Sequence, residues 1–230
     1  QMIDIYESLR KAAETEMQKT LEYLAGEHQD PRHSFEGRCI QGDLVHAIET
    51  SQSRDSIDLI VMGTQGATGA KRVFMGSNTV RALKEIRHIP ILAVPGAYDL
   101  QRLQEVVFPT DYLHPVETFE LQPLLEILQN WKARLHVVYA TEEARLSTKQ
   151  ESNRELLRQR LEGMRVVFEA IPLKGSLSAS LTAYGKSLRA DMMVLVQRKH
   201  HLLEKMIREP VVKRMAFSGD MPLLILPKLG

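Results

Sequence analysis

The sequence has little that would carry covalent or redox chemistry. It holds one cysteine, Cys39, in 230 residues. A lone thiol excludes an internal disulfide framework and fits a reducing compartment. With no histidine placed beside it by the sequence, it reads as a small buried hydrophobe rather than a nucleophile. Gly-x-Ser-x-Gly is absent, which leaves hydrolase chemistry unsupported. The single tryptophan, Trp131, closes a predicted helix and reads as a packing residue. Charge of neither sign dominates. A formal net charge of +1 gives no bulk electrostatic case for nucleic acid or an anionic membrane. No apolar run approaches the roughly 20 residues of a membrane span. The opening Gln1-Met2-Ile3-Asp4 has no basic segment followed by an apolar stretch, so no signal peptide is expected and the expected location is cytoplasmic. What remains, 43% hydrophobic and 26% charged residues, is the composition of a soluble globular protein.

The chain is organised around residues 57–95. An apolar run, Ile57-Asp58-Leu59-Ile60-Val61-Met62, leads into a glycine-rich loop that ends at Gly76-Ser77. A helical pattern follows, and then a second apolar run, Pro90-Ile91-Leu92-Ala93-Val94-Pro95. Short Ile/Leu/Val runs bounded by Gly and Pro predict buried parallel strands. A strand–loop–helix of this kind suits a phosphate. Gly63, Gly66 and Gly76 permit φ > 0 and close approach of the backbone, and Ser77 is the expected N-cap of a helix whose free N–H groups attract an anion. A merely flexible glycine-rich turn is the other reading of these residues.

Around this stretch the periodicity predicts a helix over 2–25, a strand over 34–40 and a helix opening at Asp43 as N-cap. Residues 96–104 read as a short linker. Strands are then expected over 105–111, 135–140 and 166–173, with helices over 115–131 and 148–162. From here the pattern of the first half returns. Gly175-Ser176-Leu177 stands 133 positions after Gly42-Asp43-Leu44, and Asp191-Met192-Met193-Val194-Leu195 stands 133 after Asp58-Leu59-Ile60-Val61-Met62. Pro222-Leu223-Leu224-Ile225-Leu226-Pro227 stands 132 after the run beginning at Pro90. Three matches in register predict a tandem duplication, with units over 1–98 and 104–230. The βαβαβαβαβ order of the second predicts a doubly wound α/β fold with a five-stranded parallel sheet. The first unit has no counterpart of residues 105–140, an opening βαβ. The expectation is a fragment, or strands supplied from elsewhere.

The spacing Gly63-x2-Gly66-x9-Gly76-Ser77 resembles the signature of the ATP-binding branch of the universal stress protein family, and Pro109-Thr110-Asp111 resembles the end of that family's first strand. The resemblance covers the chain as a tandem pair. It implies a Rossmann-like, adenine nucleotide alpha hydrolase-like fold and an ATP ligand, with or without Mg2+. Met62 and Gly63 would lie near the ribose. Gly66, Gly76, Ser77 and Asn78 would hold the phosphates, Thr79 would support the helix start, and Lys71 or Arg72 would screen charge. The family's first-strand Asp and second-strand end, which line the adenine pocket, would fall in the absent part of the first unit. The resemblance also implies pairing of the two units through their last strands, which run from Pro90 to Val94 and from Pro222 to Leu226. Self-association as a homodimer is a further expectation.

At the same offset the second unit carries Val196, Lys199, Glu209 and Pro210 in place of Gly63, Gly66, Gly76 and Ser77. These add side chains, a negative charge and a missing N–H where a phosphate would sit, so one site per chain is expected. Other motifs are decoys. Residues 180–187 look like a Walker A loop, but Ser180 replaces its first glycine and the stretch sits inside a predicted helix. His200 and His201 are adjacent and point apart on a helix, so no metal is expected. The expected function is an ATP-binding regulatory or stress-response protein without catalytic residues. The alternatives are a nucleotide-independent interaction module and, as an enzyme, a slow ATPase.

Overall fold

The computed structural model describes residues 2–27, 30–64, 76–96, 98–99, 101–142, 145–197 and 221–228. They belong to two compact units, Gln1–Ser51 and Gln52–Gly230. The first unit opens with α1 (Met2–Glu27), whose polar face carries exposed pairs such as Arg10–Glu14 at 2.7 Å. Its Ile5, Tyr6 and Leu9 stay more than half exposed. Residues 34–40 form no strand, contrary to the sequence expectation. A strand exists only as a pair, and these residues have no ladder partner among the described ones. Cys39 is consequently exposed rather than buried. A Cβ at Gly37 would stand 2.6 Å from Met17 Cγ, so glycine is what lets this segment lie against α1. The unit ends in α2 (Leu44–Arg54). Asp43 caps it as expected, its Oδ1 accepting from the N–H groups of Val45 at 3.0 Å and His46 at 3.1 Å.

The second unit is a seven-stranded sheet. Its strands are β1 (Ile60–Gly63), β2 (Ile91–Val94), β3 (Glu105–Pro109), β4 (Arg134–Thr141), β5 (Arg165–Pro172), β6 (Met192–Val196) and β7 (Leu223–Leu226). They lie in the order β1-β2-β7-β6-β3-β4-β5. Four helices are described: α3 (Ser77–Glu85), α4 (Thr118–Trp131), α5 (Thr148–Arg160) and α6 (Leu177–Leu188). Every neighbouring pair is parallel except β2–β7, which is antiparallel. Strands β7-β6-β3-β4-β5 form the doubly wound, Rossmann-like sheet that the βαβ order predicted. The central strands β3, β6 and β7 are apolar on both faces and almost wholly buried, as a covered parallel sheet requires. Phe108, Leu121, Leu124, Leu128, Leu135 and Leu157 belong to the core cluster. The helix 148–162 of the sequence reading corresponds to α5, whose Ser147 cap accepts from the Gln150 N–H.

The β1–β2 and β6–β7 pairs carry the same hydrogen-bond register. The Ile60 N–H donates to the Pro90 carbonyl at 2.9 Å, and the Met193 N–H to the Pro222 carbonyl at 3.0 Å. At the other end Thr64 donates to Val94 at 2.9 Å and Gln197 to Leu226 at 2.8 Å. Burial differs sharply, however. Val61 is 61% exposed, whereas Val194, 133 positions on, is 0% exposed. The reason is position. Strand β6 is flanked by β3 and β7, while β1 is an edge.

Two side details bear on stability. Trp131, expected to pack, closes α4 at 45% exposure. Lys132 is the left-handed C-cap, at φ 52°, and its N–H donates to the Gln129 and Leu128 carbonyls. A side chain in this conformation costs about 1 kcal/mol relative to glycine. Lys132→Gly is therefore expected to raise stability by about 0.5–1 kcal/mol and Tm by about 2 °C, a shift read by thermal unfolding followed by circular dichroism.

Candidate functional site

The site is built where β1 ends. Met62 is half-buried and Gly63 is exposed at the carboxyl end of this strand. Thr64 follows and is 2% exposed. Its N–H donates to the Val94 carbonyl, and its own carbonyl accepts the Gly76 N–H at 2.6 Å. Thr79, 3% exposed, turns its Oγ1 back to donate to the Gly63 carbonyl at 2.8 Å. The chain leaves the sheet at Thr64 and enters α3 at Gly76, at a neck held by two hydrogen bonds. Gly66, Lys71 and Arg72 belong to the intervening residues, which lie outside the described ones.

Helix α3 begins at this neck. Its N-cap is Gly76, at φ −62° and ψ 157°, not Ser77. The Gly76 carbonyl accepts the Val80 N–H at 3.0 Å, which draws Ser77 into the first helical turn and removes it from the capping position. The cap supplies no side-chain hydrogen bond, so the first N–H groups of α3 are not capped from within. Ser77 and Asn78 are exposed beside them. Gly76 does not use the left-handed region that the sequence reading anticipated. Its conformation is one that any residue adopts, so only close approach could demand glycine there.

Thr64 was not singled out by its residue type. The signal that finds it is register: it is the first residue past an apolar strand and the counterpart of Gln197. The counterpart is used differently. Gln197 Nε2 donates to the Leu83 carbonyl of α3 at 2.6 Å, so this position secures the helix of the other half. Val196, facing the question of Gly63, is half-buried at the end of β6. Lys199, Glu209, Pro210, His200 and His201 lie outside the described residues.

Beyond β3, Asp111 is tied into α5. Its carbonyl accepts from Gln150 Nε2 at 2.8 Å, and its Oδ1 accepts the Leu113 N–H at 2.9 Å. Tyr112, at φ 53°, gives its carbonyl to Asn153 Nδ2 at 2.8 Å. Burial pushes the Tyr112 phenol up to about 12. Residues 180–187, the Walker A decoy, lie within α6, where Ser180 Oγ accepts the Lys174 N–H at 2.8 Å. Among the described residues no cluster of His, Cys, Asp and Glu could hold a metal, and no helix is long and apolar enough to cross a membrane.

The Thr79 clamp can be tested directly. Thr79→Val keeps the shape and removes the hydroxyl, leaving the Gly63 carbonyl without its donor. The expected loss is about 1–3 kcal/mol, measured as a lower urea midpoint with an unchanged slope.

The universal stress protein family matches residues 2–95. No curated protein matches the chain. Among solved structures, a universal stress protein from Archaeoglobus fulgidus DSM 4304 is similar over 97% of this chain and 78% of its own, at 14% identity and a TM-score of 0.64. A functionally unknown protein from Pseudomonas aeruginosa PAO1 is similar over 91% of this chain and 77% of its own, at 16% identity and a TM-score of 0.60. At these identities the likeness speaks for the fold.

Proposed function

From the match of residues 2–95 to the universal stress protein family, we propose that this chain belongs to that family and binds one ATP, as a regulatory stress-response protein, at the loop between β1 and α3. The observation that carries the reading is the neck at Thr64 and Gly76. It holds Thr64 and Gly76, the residues that flank the loop, together at the carboxyl end of β1, where α3 begins at a cap that makes no side-chain hydrogen bond. Met62 and Gly63 would border the ribose. Gly66, Gly76, Ser77 and Asn78 would donate to the phosphates, and Thr79 would keep Gly63 in place. Residues 62–79 contain no Asp, Glu or His, so this stretch supplies no general base and the proposed role is binding without turnover. The register shared by the β1–β2 and β6–β7 pairs supports an origin by duplication. The engagement of Gln197 with α3 supports a second half kept for structure, and hence one site per chain.

Calorimetric titration of ATP into the chain, with and without Mg2+, tests this. Saturable heat at a stoichiometry near one is the expected result. Absence of saturable heat up to millimolar ATP would overturn it in favour of a nucleotide-independent interaction module. Release of phosphate over hours would argue for the slow-ATPase reading.

A further inference from the structure

Helix α3 is tied down at both ends, and the two ties come from different halves of the chain. At its start the Thr79 hydroxyl donates to the Gly63 carbonyl at 2.8 Å, and the Gly76 N–H donates to the Thr64 carbonyl at 2.6 Å. In its last turn the Leu83 carbonyl accepts from Gln197 Nε2 at 2.6 Å, across 114 residues of chain. The helix ends at Glu85, so Leu83 is among the carbonyls that no N–H of the helix itself reaches. Its neighbours find donors close by. Ala82 accepts the Ile86 N–H at 2.9 Å, and Lys84 accepts from Arg87 Nε at 3.3 Å. Leu83 takes its donor from the second half.

Gln197 is placed to hold rather than to follow. It comes directly after β6, and its own N–H donates to the Leu226 carbonyl of β7 at 2.8 Å. Both strands lie inside the sheet, so its backbone is fixed to the core. Thr64, 133 positions earlier, makes the same bond to Val94 at 2.9 Å. Each half thus uses the residue that follows its equivalent strand to hold α3, Thr64 at the start and Gln197 in the last turn. The helix has nine residues and a length of about 13 Å. A rod held at one end pivots about it, whereas a rod held at both is fixed. A pivot that moves the first N–H groups by about 1 Å turns an ordinary hydrogen bond into a largely broken one. The tie at Leu83 therefore bears on where the start of α3 stands.

We propose that Gln197 is a positioning residue for the nucleotide: by holding the last turn of α3 from the second half, it sets the place of the helix's first N–H groups, and the second half thereby tunes the affinity of the site in the first. The tuning rests on the ATP reading given above; the mechanical tie does not.

Amide hydrogen exchange in the ligand-free chain reads the tie by itself. Gln197→Met keeps the length of the side chain and removes the donor. The Val80 N–H, bonded to the Gly76 carbonyl at the opposite end of the helix, should then exchange faster than in the wild type. Tyr98→Phe is the control. It deletes another long-range bond, from the Tyr98 hydroxyl to the Asp191 carbonyl at 2.8 Å, and should leave Val80 unchanged. An unchanged Val80 in Gln197→Met, or an equal change in both variants, would overturn the positioning role. In calorimetry, Gln197→Met should bind ATP about fivefold or more weakly than the wild type, and Tyr98→Phe should bind it equally. Equal affinity in wild type and Gln197→Met would overturn the tuning and leave the ATP site standing. A wild type that binds no ATP would overturn both, while faster Val80 exchange would still establish the tie.

Discussion

Replacing Leu224 with aspartate is expected to leave the larger unit unfolded in water at 25 °C. Leu224 is 0% exposed and lies on β7, paired with Leu92 on one side and Val194 on the other. Leu224 belongs to the apolar core cluster, so the carboxylate would enter an apolar site. The cost is several kcal/mol for the unpaired charge, added to the loss of a packed leucine, about 2–5 kcal/mol by itself. The sum rivals the 5–15 kcal/mol that typically separates folded from unfolded domains. The position magnifies the effect, because β7 is the strand that joins the β1-β2 pair to the remaining strands. Leu224→Ala separates the two contributions. It should fold, with Tm lower by about 5–15 °C. Circular dichroism in thermal scans reads both variants, and a native-like transition in Leu224→Asp would show that the junction tolerates a charge.

How much of this was legible beforehand depends on where each element finds its partner. Strands β3, β6 and β7 were readable as continuous apolar runs because both faces are covered, and burial on two faces leaves a one-dimensional signature. The starts of α2 and α6 were readable because Asp43 and Ser176 cap within three residues of themselves. Residues 34–40 have strand composition without a strand, since composition does not supply a ladder partner. Cys39 and Trp131 followed the same logic: their types favour burial, and their surroundings do not provide it. Gly76 took the cap from Ser77 by a shift of one residue, the scale at which helix ends escape pattern reading. The polar cluster in which His136 contacts Glu105 at 2.7 Å and Tyr184 at 3.1 Å, and Tyr184 donates to Glu169 at 2.6 Å, left no local trace at all. Its members are brought together by parallel strands and a helix, at separations of 31 and 48 residues for the contacts of His136.

Gly76→Glu is expected to abolish ATP binding while leaving the fold as stable as before, and the two effects have opposite electrostatic causes. In the proposed complex the carboxylate would face the phosphates across the start of α3. Like-charge juxtaposition there costs several kcal/mol, a loss of affinity of at least about 100-fold. Without nucleotide the same carboxylate stands at the positive end of the helix, where a negative charge stabilises by about 0.3–1 kcal/mol. The backbone at Gly76, at φ −62° and ψ 157°, accepts a side chain without strain, and the N–H that donates to the Thr64 carbonyl is retained. The second half offers nature's version of the same change, with Glu209 at the position 133 residues on. Calorimetry for ATP and thermal unfolding of the ligand-free protein, on wild type and variant together, read the two signs separately. Undiminished ATP affinity in a stably folded variant would place the nucleotide elsewhere than the start of α3. A large drop in Tm would mean instead that glycine is required at position 76 for the fold, and that the neck rather than the ligand selected it.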